Sequence, residues 1–221
     1  MSSGEKRGYW IVHLISIKDQ EVFFKHLAKA NEGTKYGGLT RVFAPVKKTL
    51  RGEPVEFCAV IEFPSVKAAI GCWDDMEDYA AARAILGEDE TKVVERRVCV
   101  IEADPLPDLK PGQGFWINHV EEIVDQTAFF AYANASMHCF TSTHFGPVVK
   151  QLIGSPTMVL AAVLGFDSPQ AAIECYEGGS ADYKSAKEAG GMSIGGDENH
   201  VVKRTICVVE YNPEYDQKAK Q

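Results

Sequence analysis

Two histidines stand at matching places in this chain. His13 closes the run Gly8-Tyr9-Trp10-Ile11-Val12-His13, and His119 closes Gly114-Phe115-Trp116-Ile117-Asn118-His119. Imidazole titrates near neutral pH, so such a pair inside a pocket can shuttle protons. A core histidine hydrogen-bonded to a neighbour is the plainer reading. Glu62 sits among apolar residues and shares a strand face with Cys58 and Val60. A carboxylate there becomes a base if it faces a pocket, or pairs with a basic residue on the next strand. Arg41 can bind a carboxylate or enolate, or face solvent. His144 is an imidazole special to the second half, expected in the loop after a helix. Candidate ligand-contacting residues are Tyr9, Trp10, Phe115 and Trp116 as apolar walls, and Tyr36, whose hydroxyl meets a ligand or caps a helix end. No metal is expected, because no His-x-x-x-His spacing occurs. Cys99 and Cys207 have no adjacent histidine and read as core residues. The glycine-rich Gly190–Gly196 lacks the Gly-Lys-Ser/Thr ending of a phosphate loop, so it reads as a flexible loop or a flap over a cavity mouth.

The elements that must position these residues occur twice. Besides the Gly-aromatic-Trp run, Asp19 and Phe23-Phe24 return 106 residues later as Asp125 and Phe129-Phe130. Phe63-Pro64-Ser65 and Ala68-Ala69-Ile70 return at an offset of 103, Tyr79 at 104, and Val98-Cys99-Val100 at 108 as Ile206-Cys207-Val208. Ordered matches with small gaps predict an internal duplication. The expected domains are a first repeat over 1–104, a proline-rich linker over 105–113, a second repeat over 114–212 and a polar tail over 213–221 that frays.

Each repeat reads β-α-β-β-α-β. Asp19 is placed to cap a helix whose apolar positions are Phe23, Leu27 and Ala30. Gly37-Gly38 ends that helix before a strand over 39–44, and Ser65 caps the next helix. In the first strand one face carries Tyr9, Ile11 and His13, and the other Trp10, Val12 and Leu14. Both faces are apolar, so both must be buried. Helices cover one side of a four-stranded sheet, and the nearest cover for the other is the second repeat. A sandwich or closed barrel of two sheets, with a cavity or core between them, is the predicted α+β architecture.

The motifs Gly8-Tyr9-Trp10, Lys35-Tyr36-Gly37-Gly38, Glu62-Phe63-Pro64-Ser65 and Trp73…Tyr79 resemble domain-of-unknown-function family 1330, of the dimeric α/β-barrel superfamily. That resemblance implies two ferredoxin-like units packed sheet to sheet. Relatives in the superfamily include cofactor-independent monooxygenases, haem-degrading enzymes, polyketide cyclases and lactone isomerases, with pockets between sheet and helices or in the barrel lumen. The second repeat departs from the pattern. Ser142-Thr143-His144-Phe145-Gly146 stands where Tyr36-Gly37-Gly38 would fall, and Gly165 replaces Glu62.

Charge and composition narrow the function classes. The chain has 221 residues, 45% hydrophobic and 24% charged, with a net charge of −8 and no basic cluster. Nucleic acid is therefore not an expected partner. The longest apolar stretch, 158–166, is too short to span a membrane. Six cysteines without a Cys-x-x-Cys pair point to a reducing, cytoplasmic setting. The expected partner is a small molecule, with a homodimer of the doubled chain also open. Three functions remain: an enzyme without cofactor (isomerase, cyclase, lyase or monooxygenase) acting on an aromatic or enolisable substrate, a non-catalytic binder of an apolar ligand, or an assembly subunit.

Overall fold

The computed structural model describes residues 5–32 and 36–217. The first half runs β1 (Arg7–Ile17), α1 (Gln20–Glu32), β2 (Leu39–Arg51), β3 (Phe57–Phe63), α2 (Val66–Asp74), α3 (Glu77–Ala84) and β4 (Val94–Ala103). The second runs β5 (Gly114–Ile123), α4 (Gln126–Ser136), β6 (Ser142–Ile153), β7 (Leu160–Phe166), α5 (Pro169–Glu174), α6 (Ala181–Ala189) and β8 (Val202–Glu210). The expected caps form. Asp19 Oδ1 accepts from Val22 N–H at 3.0 Å, Asp125 Oδ1 from Ala128 at 3.0 Å, Ser65 Oγ from Ala68 at 3.2 Å and Ser168 Oγ from Ala171 at 3.1 Å.

All eight strands close into one antiparallel barrel in the order β1-β3-β2-β8-β5-β7-β6-β4. Closure depends on the length of β2 and β6. The start of β2 pairs with β3 of its own half, and its end, Val46–Arg51, crosses to β8. In the same way β6 pairs first with β7 and then with β4. The sequence pattern ends β2 at Ala44 because Lys47, Lys48 and Arg51 break the apolar run. Inter-half pairing satisfies that backbone instead, and leaves no sheet edge exposed.

The alternation of β1 holds. Tyr9, Ile11 and His13 point into the barrel, which is filled by a core that also contains Val60, Ile101, Phe115, Ile117, Val163 and Val209. Trp10, Val12 and Leu14 point outward to α1–α3, and Trp116 and Val120 to the helices of the second half. The space between the sheets is thus occupied by side chains. Gly8 and Gly114 open the two halves because a Cβ at either place would come within 2.4 Å of the Ser65 or Ser168 backbone, where the second helix starts.

Two expectations about mobile segments are corrected. The tail does not fray over 213–217: Asp216 is buried, and Gln217 N–H donates to Thr40 O at 2.8 Å. Residues 218–221, like Lys35 of the sequence motif, lie outside the described residues. The glycine-rich segment is no flap over the barrel, since Met192 anchors it in the core beneath α4 and α6. The linker is also tied down, with Leu106 buried at the end of the barrel. Among the described residues no helix is long and apolar enough to cross a membrane.

Candidate active site

The outward faces of the sheet carry two apolar clefts at equivalent places, one in each half. The first, about 120 Å³, lies under α1 and is lined by Trp10, Val12, Phe23, Leu27, Ala59 and Phe63, with His26, Tyr79 and Arg96 among them. An apolar cavity of roughly 150 Å³ holds benzene, so this space suits one aromatic ring. The second, about 190 Å³, lies under α4 and is lined by Val120, Phe129, Phe140 and Leu164, with Asn118, Tyr132 and Arg204.

The polar groups of the first cleft come from three elements. His26 falls on the same α1 stripe as Phe23, Leu27 and Ala30, so the helix turns it inward and buries it. Its Nδ1 lies 2.9 Å from Ala82 O. A carbonyl only accepts, so Nδ1 carries the proton and Nε2 holds the lone pair. Burial lowers the His26 pKa, keeping the ring neutral. Arg96 comes from β4 and is buried, with Nε and Nη2 donating to Glu90 at 3.1 and 3.0 Å. Tyr79 lines the same cleft, and burial raises its hydroxyl above the ordinary phenol value. A neutral imidazole, a fixed cation and a phenol at the edge of an apolar ring-sized space can take a proton from a bound molecule and stabilise the anion left behind.

The second cleft carries no such imidazole: the residue equivalent to His26 is Tyr132. Its hydroxyl is 2.9 Å from that of Tyr183 and accepts from Arg204 Nη1 at 3.0 Å. Arg204 is held by Glu198 through two 3.0 Å bonds, and Lys187 Nζ approaches the same carboxylate at 3.0 Å. Burial alone would raise Glu198, but Arg204 and Lys187 outweigh it and bring the carboxyl down to about 2. Tyr132, Tyr183, Arg204 and Glu198 are thus hydrogen-bonded to one another.

The residues singled out from sequence are distributed over three places instead of one. His13 and His119 stack face to face inside the barrel at 3.9 Å between ring centroids, both fully buried. Each Nε2 is bonded to a backbone carbonyl of the opposite half, His13 to Ile117 O at 3.1 Å and His119 to Ile11 O at 3.2 Å. Burial lowers His13 to about 3 and His119 well below its ordinary value. They are neutral core groups, away from both clefts.

Arg41, Glu62 and His144 gather at one end of the barrel with Tyr9. Arg41 occupies a bulge of β2 that interrupts its pairing with β3 between Thr40 and Val42. It is buried and donates to Glu62 Oε2 at 2.5 Å, to Pro107 O at 3.0 Å, and approaches Asp216 at 3.3 Å. Tyr211 donates to Asp216 at 2.8 Å, and Tyr9 Oη accepts from Leu106 N–H at 2.9 Å. His144 Nδ1 lies 3.2 Å from Asp104 O. This cluster clamps the linker and tail onto the barrel. His144 is corrected from loop to strand: it lies inside β6, opposite Val163, and Ser142 is the residue that matches Leu39.

The aromatic walls also separate. Tyr9 and Phe115 face the barrel core, while Trp10 and Trp116 face the helices and donate to Ala69 O and Ala172 O at 3.0 and 3.1 Å. Tyr36 packs over Gly71 on α2. Of the sequence candidates only Trp10 lines the first cleft. His26, Tyr79 and Arg96 were missed as site residues. The readable signal was a histidine within the apolar stripe of α1.

Residues 7–103 match the model of a family described as Domain of unknown function (DUF1330). No curated protein matches the chain. Several solved structures are similar over nearly the whole length, two of them as follows. One is described as an anthrone oxidase-like protein, with a TM-score of 0.59 and 12% identity over 95% of this chain and 93% of that one. The other, from Fusobacterium nucleatum subsp. nucleatum, is provisionally assigned as a monooxygenase, with a TM-score of 0.55 and 6% identity over 95% and 93%. At such identities the likeness is one of fold. The matched segment therefore sits in an eight-stranded α+β barrel that other proteins also build.

Proposed function

We propose that this protein is an enzyme that needs no bound cofactor and takes a proton from a one-ring aromatic or enolisable small molecule in the cleft of its first half. The observation that carries this reading is His26. It is a neutral imidazole with its lone pair on Nε2, held in an apolar ring-sized cleft beside Arg96 and Tyr79. His26 is the base, and Arg96 with Tyr79 stabilises the oxyanion. Proton removal of this kind opens isomerase, cyclase, lyase and monooxygenase chemistry, and the description of the Fusobacterium structure agrees with the last of these.

In the same proposal each half is a ferredoxin-like unit and the second is a diverged copy. Its site is silenced by the Tyr132–Tyr183–Arg204 network, which already pairs the groups that a ligand would use. The element order and strand pairing common to both halves support this.

Phenylpyruvate tests the function, since it carries one ring, an exchangeable α-proton and a carboxylate suited to Arg96. Its enol–keto conversion is followed by ultraviolet absorbance. His26→Gln is expected to slow the catalysed conversion by about 100-fold or more while binding persists. Ala30→Trp, which fills the cleft edge, is expected to abolish binding. A rate indifferent to both substitutions overturns the assignment. Binding that responds to Ala30→Trp without any catalysed conversion favours the non-catalytic ligand carrier.

A further inference from the structure

The barrel interior holds a cluster that the cleft chemistry does not use. A ring nitrogen of His13 and the sulfurs of Cys58 and Cys207 lie within 4.8 Å of one another, and all three residues are fully buried. They come from three strands in both halves: Cys58 is directly opposite His13 across β1 and β3, and Cys207 is opposite Ile117 across β8 and β5. We propose that His13, Cys58 and Cys207 bind one thiophilic metal ion at the centre of the barrel, Cu⁺ in preference to Zn²⁺.

The state of His13 supports this. Its Nε2 must carry the proton, because the partner there is the Ile117 carbonyl. The lone pair is then on Nδ1, which is buried without any hydrogen-bond partner; Nδ1 of the stacked His119 is also unpartnered, but among the described residues two cysteine sulfurs stand close to His13 alone. A buried acceptor left unpaired costs about 1–3 kcal/mol, so a native protein that keeps one has a use for it or an unseen partner. A histidine that ligates a metal characteristically donates its other N–H to a backbone carbonyl, which is the arrangement found here.

The donor set chooses the ion. Two thiolate sulfurs are soft ligands and an imidazole is a borderline one, a set that selects Cu⁺ and Zn²⁺ over harder cations. Structural zinc sites are almost always four-coordinate. Three donors fall one short of that, which favours Cu⁺. Metal–sulfur bonds near 2.3 Å place neighbouring donors about 4 Å apart, so the cluster needs to contract by less than roughly 1 Å. Binding displaces the protons from the two thiols.

The second half does not repeat the set. There His119 stands opposite Ala161, where His13 has Cys58. One ion per chain follows. Sequence spacing hides the site because its ligands are 45 and 149 residues apart.

Full burial means that the ion enters as the barrel forms. The full-length chain is therefore unfolded in guanidinium under anaerobic reducing conditions, refolded with one equivalent of Cu⁺ or Zn²⁺, desalted and assayed for metal by mass spectrometry. The expected result is one retained Cu⁺ per chain, with thiolate-to-metal ultraviolet absorbance and a raised melting temperature. Cys58→Ala, which installs the residue found at the matching place in the second half, is expected to fold by circular dichroism and to lose the metal. Cys139→Ser, outside the barrel, is expected to retain it. If the wild-type chain retains neither ion, or folded Cys58→Ala still retains one, the site is overturned. Retention of Zn²⁺ but not Cu⁺ overturns the choice of ion.

Discussion

Stacked imidazoles in a dry interior stay neutral, and this ties stability to pH. In the unfolded chain His13 and His119 take up protons near pH 6.5, whereas native His13 does so only at about 3 and His119 well below its ordinary value. The unfolded state therefore binds more protons in between. Stability is whole above about pH 6.5 and is lost as pH falls toward 3. Each histidine contributes a slope approaching roughly 1.4 kcal/mol per pH unit. His119→Leu is expected to shed about half of this histidine contribution between pH 6 and 5, as read from urea midpoints. An unchanged slope would mean that the rings are accessible to protons.

At the scale of elements, the polar cluster at the barrel end explains how the chain ends are held. Arg41 joins β2 to β3 through Glu62, to the linker through Pro107 and to the tail through Asp216. Arg41→Leu leaves Asp216 and Glu62 without their cation, and breaking such a buried pair costs about 3–5 kcal/mol. Guanidinium unfolding of Arg41→Leu is expected to show a loss of that order, and a loss below about 1 kcal/mol would contradict the clamp. Pairing of Glu62 with a neighbouring basic residue was readable, because strand alternation places it with Cys58 and Val60. The tail's part was not readable. Nothing in a polar sequence after Pro213 marks Asp216 as buried until Arg41 supplies the partner.

The whole molecule is held together by reciprocal pairing of β2 with β8 and of β4 with β6. Cut at the linker, each half would expose two sheet edges and one apolar sheet face. Residues 1–104 and 105–221, made separately, are each expected to lack a cooperative melting transition, and mixing them to restore one. Two independent transitions in the intact chain would instead mean separate domains.

The periodic features were legible from the residues alone. Alternation in β1, the Asp19, Ser65, Asp125 and Ser168 caps, and the recurrence of Gly-aromatic-Trp determined the elements, their order and the need for a second covered face. These depend on contacts a few residues apart, which local spacing encodes. Tertiary structure alone decided what the covered faces contain. It filled the space between the sheets, moved the ligand-sized opening to the outer face beside His26, and brought His13 to Cys58 and Cys207. Each of those outcomes depends on side chains from distant strands meeting at one point, and barrel closure, which no local pattern records, sets which ones meet.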